Sequence, residues 1–170
     1  NPSQSNPLLI KDSVEFVTDE NIKNVKLVAI GQDVYLHKPN LPSTGVPFYS
    51  IMGREGTDTI LPNDKPHLFF GYTVIDSLCK LTIKGGTRLY FHNNAVLWVY
   101  SGGSLNVSGS YKNEVTFQGD RLEPYYKDIP GQWGKIWFAN GSRNNRIDWA
   151  IIKNGTIGVQ VDTVHTPIAP

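Results

Sequence analysis

Between His67 and Val161 short runs of alternating apolar and polar residues follow one another, and their landmarks return at a nearly constant distance. Val74 returns as Val99 after 25 residues, Leu81 as Leu105 after 24, and Leu89 as Val115 after 26. Self-similarity at that period marks a solenoid in which each coil supplies three strands. The runs are Tyr72 to Asp76, Leu81 to Ile83, Thr87 to Phe91, Leu97 to Tyr100, Ser104 to Val107, Val115 to Gln118, Lys135 to Phe138, Arg146 to Lys153 and Thr156 to Val161. No helical pattern separates them, which excludes a βαβ arrangement. Three coils follow, 72–91, 97–118 and 134–161, the third delayed by an insertion over 118–133. The two-residue side-chain period turns Val74, Leu81, Leu89, Val99, Leu105, Trp149, Ile151, Val159 and Val161, among others, into the tube. It turns Thr73, Arg88, Thr116 and Asp148 outward.

Residues 1–66 read differently. Val14 to Thr18 and Val25 to Leu36 have strand character, the second bent at Gly31-Gln32-Asp33. The stretch after His37 holds Pro39, Pro42, Pro47, Pro62 and Pro66, and proline cannot donate to a ladder. The expected division is therefore an irregular N-terminal extension, 1–66, packed on the coils of 67–170. Three coils ending at Val161 leave strand edges and core uncovered where solenoids need a cap, so the chain is expected to continue in further coils beyond Pro170.

Composition narrows function by exclusion. A formal net charge of +1 lacks the basic footprint of a nucleic-acid binder, and no nucleic-acid partner is expected. One cysteine, Cys79, excludes an intramolecular disulfide framework and a four-cysteine zinc site; beside Leu78 it reads as a buried, inert thiol. No apolar run approaches the ~20 residues of a membrane-spanning helix. His37, His67, His92 and His165 are far apart in sequence and lack metal-ligand spacing, so neither metal nor cofactor is expected.

Two groups of residues are candidates for binding. The insertion gathers Asp120, Arg121, Glu123, Tyr125, Tyr126, Asp128 and Trp133, aromatic faces and charges suited to a sugar ring or a peptide, on a long loop of the kind that carries function. The competing reading is internal ion pairing, with the tyrosines packing the loop down. If Val99 and Ile136 point inward, Trp98, Tyr100 and Trp137 form an outward column across adjacent coils. Such a column marks an interface, or it is covered by residues 1–66 or the insertion. Catalytic constellations are missing. A polysaccharide lyase needs carboxylates for Ca²⁺ beside a basic residue on neighbouring coils, and no two outward carboxylates stack. For glycoside hydrolysis only Asp120 with Glu123 or Asp128 offers a pair.

Leu81-Thr82-Ile83, Gly86-Thr87, Leu89, Phe91, Leu97, Val99, Gly103-Ser104-Leu105, Val107, Gly109 and Val115-Thr116-Phe117 resemble the opening of right-handed parallel β-helix repeat proteins. Gln118-Gly119-Asp120-Arg121, Ile129 to Gly134, Asn144-Asn145 and Ile147-Asp148-Trp149-Ala150 extend the resemblance to Bacteroidetes-type surface lipoproteins of that fold. The resemblance implies an all-β, right-handed parallel β-helix exported to the outer membrane and cell surface. The membrane would be met only through a lipidated N-terminal cysteine upstream of Asn1. It implies no enzymatic activity, and partners among other outer-membrane or surface proteins, or a glycan. Asp followed by Ser or Thr and an aliphatic residue resembles the O-glycosylation signal of the same bacteria, and marks Ser13, Thr59, Ser77 and Thr163. Two other functions fit the tube: the N-terminal part of a polysaccharide-lyase-like enzyme whose catalytic coils lie further on, and an adhesin-like structural spike.

Overall fold

The computed structural model describes residues 8–18, 21–31, 33–42, 44–45, 47–53 and 55–163. Gln32, His165 and any continuation after Thr163 lie outside the described residues. The chain divides into two units, Asn1–Val34 and Tyr35–Pro170. The boundary therefore falls at Tyr35 rather than after residue 66.

The first unit is an antiparallel hairpin of β1 (Leu8–Thr18) and β2 (Asn21–Gly31), with Val14 opposite Val25 and Thr18 opposite Asn21. The bend expected near Gly31 is the end of β2.

The second unit holds β3 (Tyr35–His37), β4 (Tyr49–Ile51), β5 (Asp58–Leu61), β6 (His67–Phe69), β7 (Tyr72–Ile75), β8 (Lys80–Lys84) and β9 (Arg88–Phe91). It continues with β10 (Val96–Val99), β11 (Ser104–Ser108), β12 (Val115–Gly119), β13 (Lys135–Phe138), β14 (Arg146–Asp148), β15 (Ala150–Ile152) and β16 (Val159–Val161). All pair in parallel, and each strand pairs with the one three places along the chain. The result is three sheets, β4-β7-β10-β13-β16, β5-β8-β11-β14 and β3-β6-β9-β12-β15. The structure is all-β: no α-helix occurs among the described residues.

Each circuit of the chain thus lays one strand on each sheet. Four circuits are complete, β4–β6, β7–β9, β10–β12 and β13–β15, where the sequence pattern gives three. The extra one comes from 49–69, whose first two strands lie in the proline-rich stretch read as extension and whose third, β6, opens the part read as coils. Its strands are only three or four residues long, and the prolines lie outside them, where no ladder donor is needed.

The register departs from the sequence pattern in two places. Leu81 pairs with Leu105 as the spacing indicates, but Val74 pairs with Trp98 and Leu89 with Phe117. The inward residues of β7 are Thr73 and Ile75, both fully buried, so hydrophobic alternation picked the wrong phase there. Thr73 Oγ1 has no hydrogen-bond partner, a polar atom in a position that a valine would satisfy. The run Arg146 to Lys153 is two strands broken at Trp149, whose φ of +49° makes a corner. Trp149 and Ile151 are consequently exposed instead of buried. Val159 and Val161 continue the inner columns of Ile136 and Phe138 and remain exposed.

The core is a column of rings beside aliphatic rows. His37 stacks on Phe69 (centroids 4.4 Å), Phe69 on Phe91 (5.1 Å), and Phe91 on Trp133 (4.4 Å). Leu81, Ile83, Leu97, Leu105, Val107 and Ile136 fill the remainder without solvent contact. Cys79 is buried at its edge, and burial pushes its thiol above the ordinary range.

Corners repeat as well. Gly56, Leu78, Gly102 and Gly141 all have positive φ and follow one another, the N–H of each of the first three donating to the carbonyl of the next. Leu78 is the one L-residue among them and is 64% exposed, so its side chain returns little for the strain of a left-handed backbone. Leu78→Gly is expected to raise stability by about 0.5–1 kcal/mol, read as a higher urea midpoint at unchanged m-value. A lower midpoint would show that the leucine packs usefully.

Candidate functional site

The insertion leaves β12 at Gly119 and returns to β13 through Trp133. Trp133 is 0% exposed, stacked on Phe91, with its indole N–H donating to the Lys153 carbonyl at 2.8 Å. It is therefore a core residue and not the binding residue its place in the loop suggested. Gly119, which pairs with Phe91, makes room for the neighbouring Gln132, whose Cβ would lie 2.8 Å from a Cβ at Gly119.

The loop backbone is clamped from two sides. Gln132 donates its amide to the carbonyls of Tyr126 (2.6 Å) and Ile129 (2.8 Å). Asn154 donates to the carbonyls of Lys127 and Ile129, at 3.0 Å each. Between them Pro124–Tyr126 forms a single 3-10 turn, and Tyr125 is 77% exposed at the tip. Arg121 donates from Nη2 (2.9 Å) and Nε (3.1 Å) to Glu123 Oε1, and its guanidinium lies 4.0 Å from the Tyr126 ring centroid. Asp120 leaves the loop and pairs with His92 Nδ1 at 2.6 Å. Asp128 is exposed. The internal-pairing reading of the charged residues thus describes Asp120, Arg121 and Glu123. Arg121 also holds the Glu123 carboxyl below its usual range, the reverse of what a general acid needs.

On the outer face of the first sheet, Trp98 and Trp137 stack at 4.7 Å with planes 9° apart, as the outward column requires. Tyr100 and Tyr72 meet Trp98 edge-on at 5.4 and 6.5 Å. Lys135 Nζ sits 4.5 Å from the Trp137 centroid. No ammonium fits between rings so closely stacked, so it covers the opposite face. Trp137 donates its N–H to Asp162 Oδ2 at 2.8 Å. The faces of Trp137 are occupied by neighbours, which removes it as a flat platform for a sugar ring, and Tyr100 is the exposed member of the group.

The candidate glycosylation residues have different surroundings. Ser13 on β1 and Thr163 are exposed. Ser77 is exposed with its hydroxyl donating to the Ser101 carbonyl at 2.7 Å. Thr59 pairs with Leu81 on the inward side of β5 and is half-buried, an orientation that turns its hydroxyl away from a transferase.

Two pairings escaped sequence reasoning. His37 and His67, 30 residues apart, meet in the first turns with Nε2···Nδ1 at 3.0 Å, and His67 Nε2 is 3.0 Å from the Pro62 carbonyl. The carbonyl can only accept, so His67 Nε2 carries the proton, its Nδ1 accepts, and His37 Nε2–H donates. The second is an exposed pair, Tyr111 with Trp149, on adjacent corners at 6.0 Å. The sole signal for either was the parallel register, which sets side by side residues that no motif links. Among the described residues, no group of three or more His, Cys, Asp or Glu gathers as a metal would require. No protein-family model matches the chain, and no curated protein or solved structure matches it either.

Proposed function

We propose that this chain is a non-enzymatic, extracytoplasmic binding module on a right-handed parallel β-helix, a surface lipoprotein subunit that meets a protein partner in the outer membrane. Three parallel sheets visited in rotation support the β-helix, and parallel strands joined by crossovers are right-handed in about 98% of cases. Export and lipid anchoring rest on the sequence resemblance. The observation that carries the binding role is the pre-formed insertion. Gln132 and Asn154 hold its backbone while Tyr125 stands in solvent, so little ordering remains to be lost when a partner docks. Asp120 is engaged by His92 and Arg121 by Glu123, which favours recognition over proton transfer.

The test is made on the full-length protein in its native cells. A photo-crosslinking phenylalanine analogue at Tyr125 is expected to join a second surface protein. Deleting Leu122 to Lys127 is expected to abolish that association while circular dichroism stays that of the parent, Gln132 and Asn154 keeping the Ile129 carbonyl as acceptor. No adduct from intact cells, or association that survives the deletion, removes the loop as the interface. Absence of radiolabelled palmitate from the native chain removes the lipoprotein assignment.

A further inference from the structure

The corner between β14 and β15 carries strain that the fold does not need. Trp149 has φ +49°, a left-handed conformation that a bulky L-residue avoids. Its main chain does ordinary work there, the Trp149 carbonyl accepting the Val115 N–H at 3.0 Å. Glycine or asparagine would do the same without strain, and two circuits earlier the corresponding corner is Gly86, φ +76°. The indole is not a core element either, being 55% exposed. A strained residue that packing does not explain points to function.

The neighbouring corner completes the arrangement. Tyr111 is 69% exposed, its ring 6.0 Å from that of Trp149 with planes 68° apart. Unlike the parallel Trp98–Trp137 stack, neither ring lies flat on the other. Hydrogen-bonding residues adjoin both rings in sequence, Ser110 and Lys112 at Tyr111 and Asp148 at Trp149, while Asn113 packs its amide against Gly85 and Gly86. Lys112, itself left-handed at φ +62°, holds its ammonium 5.3 Å from the Tyr111 centroid.

We propose that Trp149 and Tyr111 form a saccharide-binding platform. A pyranose lays its apolar C–H face on the Trp149 indole, Tyr111 forms a side wall, and ring hydroxyls reach Lys112. An isolated aromatic pair bordered by hydrogen-bonding groups matches a sugar, apolar on its ring face and polar around its rim. A protein hot spot is instead surrounded by contacts that exclude water. The site shares no residue with the insertion, so its success or failure is independent of the proposed protein partner.

The experiment titrates the full chain with cellohexaose, xylohexaose, mannohexaose, chitohexaose and hexagalacturonate up to about 10 mM, spanning the weak millimolar regime. Intrinsic fluorescence and calorimetry are the readouts. Trp133 is buried, Trp98 and Trp137 are partly buried and stacked, and Trp149 is the exposed tryptophan, so loss of the emission change in Trp149→Asn assigns it to Trp149. At least one hexaose is expected to bind. Trp149→Asn is expected to weaken it by about tenfold or more at an unchanged or higher melting temperature, because asparagine tolerates the left-handed corner. Leu78→Gly, which relieves the same strain at another corner, is expected to bind as the parent does. Should Trp149→Asn fail to fold, Tyr111→Ala decides, with weakened binding expected. The proposal is overturned if no hexaose binds, if either aromatic substitution leaves binding intact, or if this corner captures a protein while no saccharide competes.

Discussion

Trp133→Ala is expected to destabilise the protein by about 3–5 kcal/mol, the range for truncating a fully buried large aromatic. Three losses coincide at this residue. The ring leaves a cavity against Phe91, 4.4 Å away and itself fully buried. The Lys153 carbonyl loses its indole donor. The bridge between Trp133 and Gly155, which ties the end of the insertion to the segment after β15, loses the anchor that positions it. Urea denaturation should show the drop. Hydrogen exchange should localise it to β13, β14 and β15 and to the loop, while β7 to β9 stay protected, because a repeat array opens from where neighbouring turns separate. Trp133→Phe keeps a ring on Phe91 but removes the hydrogen bond and part of the buried ring volume, for a smaller loss of about 1–3 kcal/mol. A loss below 1 kcal/mol in the alanine variant would show that the loop is not fastened through the core.

The second large effect is a loss of stability in mild acid at the opposite end of the tube. Burial, with the neighbouring His67, lowers the His37 pKa from 6.5 to about 4, and burial also lowers that of His67. In the unfolded chain both take up protons near 6.5, so between about pH 6.5 and 4 the unfolded state binds more protons and stability rises with pH. The stabilisation is complete above pH 6.5 and disappears as the pH falls toward 4. Each tenfold change in proton affinity is worth about 1.4 kcal/mol. Discounted by roughly half for the partial solvent contact of His37, the His37 shift corresponds to a loss of about 2 kcal/mol between pH 6.5 and 4, and His67 adds to it in the same direction. Asp64, which accepts from the Tyr35 hydroxyl at 3.0 Å, favours the charged form of His67 and opposes burial without cancelling it. Denaturation at pH 7.5, 5.5 and 4.5 should reveal the slope, with β3 exchanging first. His37→Gln keeps a donor toward His67 Nδ1 but cannot titrate, and should flatten the dependence. An equal slope in that variant would place the titrating groups elsewhere.

Most of the solenoid was legible because Leu81, Leu105 and their neighbours repeat the same chemistry in the same phase, and burial enforces phase. Thr73 shows the limit. A buried threonine beside an outward valine inverts the apparent alternation, and only the ladder to Leu97 reveals which side faces in. Trp149 shows another, since nothing in Ile147-Asp148-Trp149-Ala150 announces a corner when glycine, the usual signal for a left-handed residue, is replaced by tryptophan. The first complete circuit, 49–69, was hidden by strands too short to show a period among many prolines. Of the candidate site, the insertion and the outward ring column were visible. The division of the loop into a buried Trp133 and an exposed Tyr125 was not, because Trp133 is drawn inward by the Phe91 ring and the Lys153 carbonyl, both distant in sequence. The meeting of His37 with His67 arises from stacking of successive circuits, which local sequence does not encode.

The placement of the insertion has a practical meaning. Trp98 pairs with Val74 at a separation of 24 residues on one side and with Trp137 at 39 on the other, yet both ladders keep the same parallel alignment. The chain can therefore wander for fifteen more residues between two circuits and re-enter without disturbing either. Lengthening such a loop adds little closure entropy, about 0.6 kcal/mol per doubling. The segment between Gly119 and Trp133 is accordingly a graft point: a foreign peptide placed at Tyr125 would be displayed from a rigid stem, with Gln132 and Asn154 as its clasp.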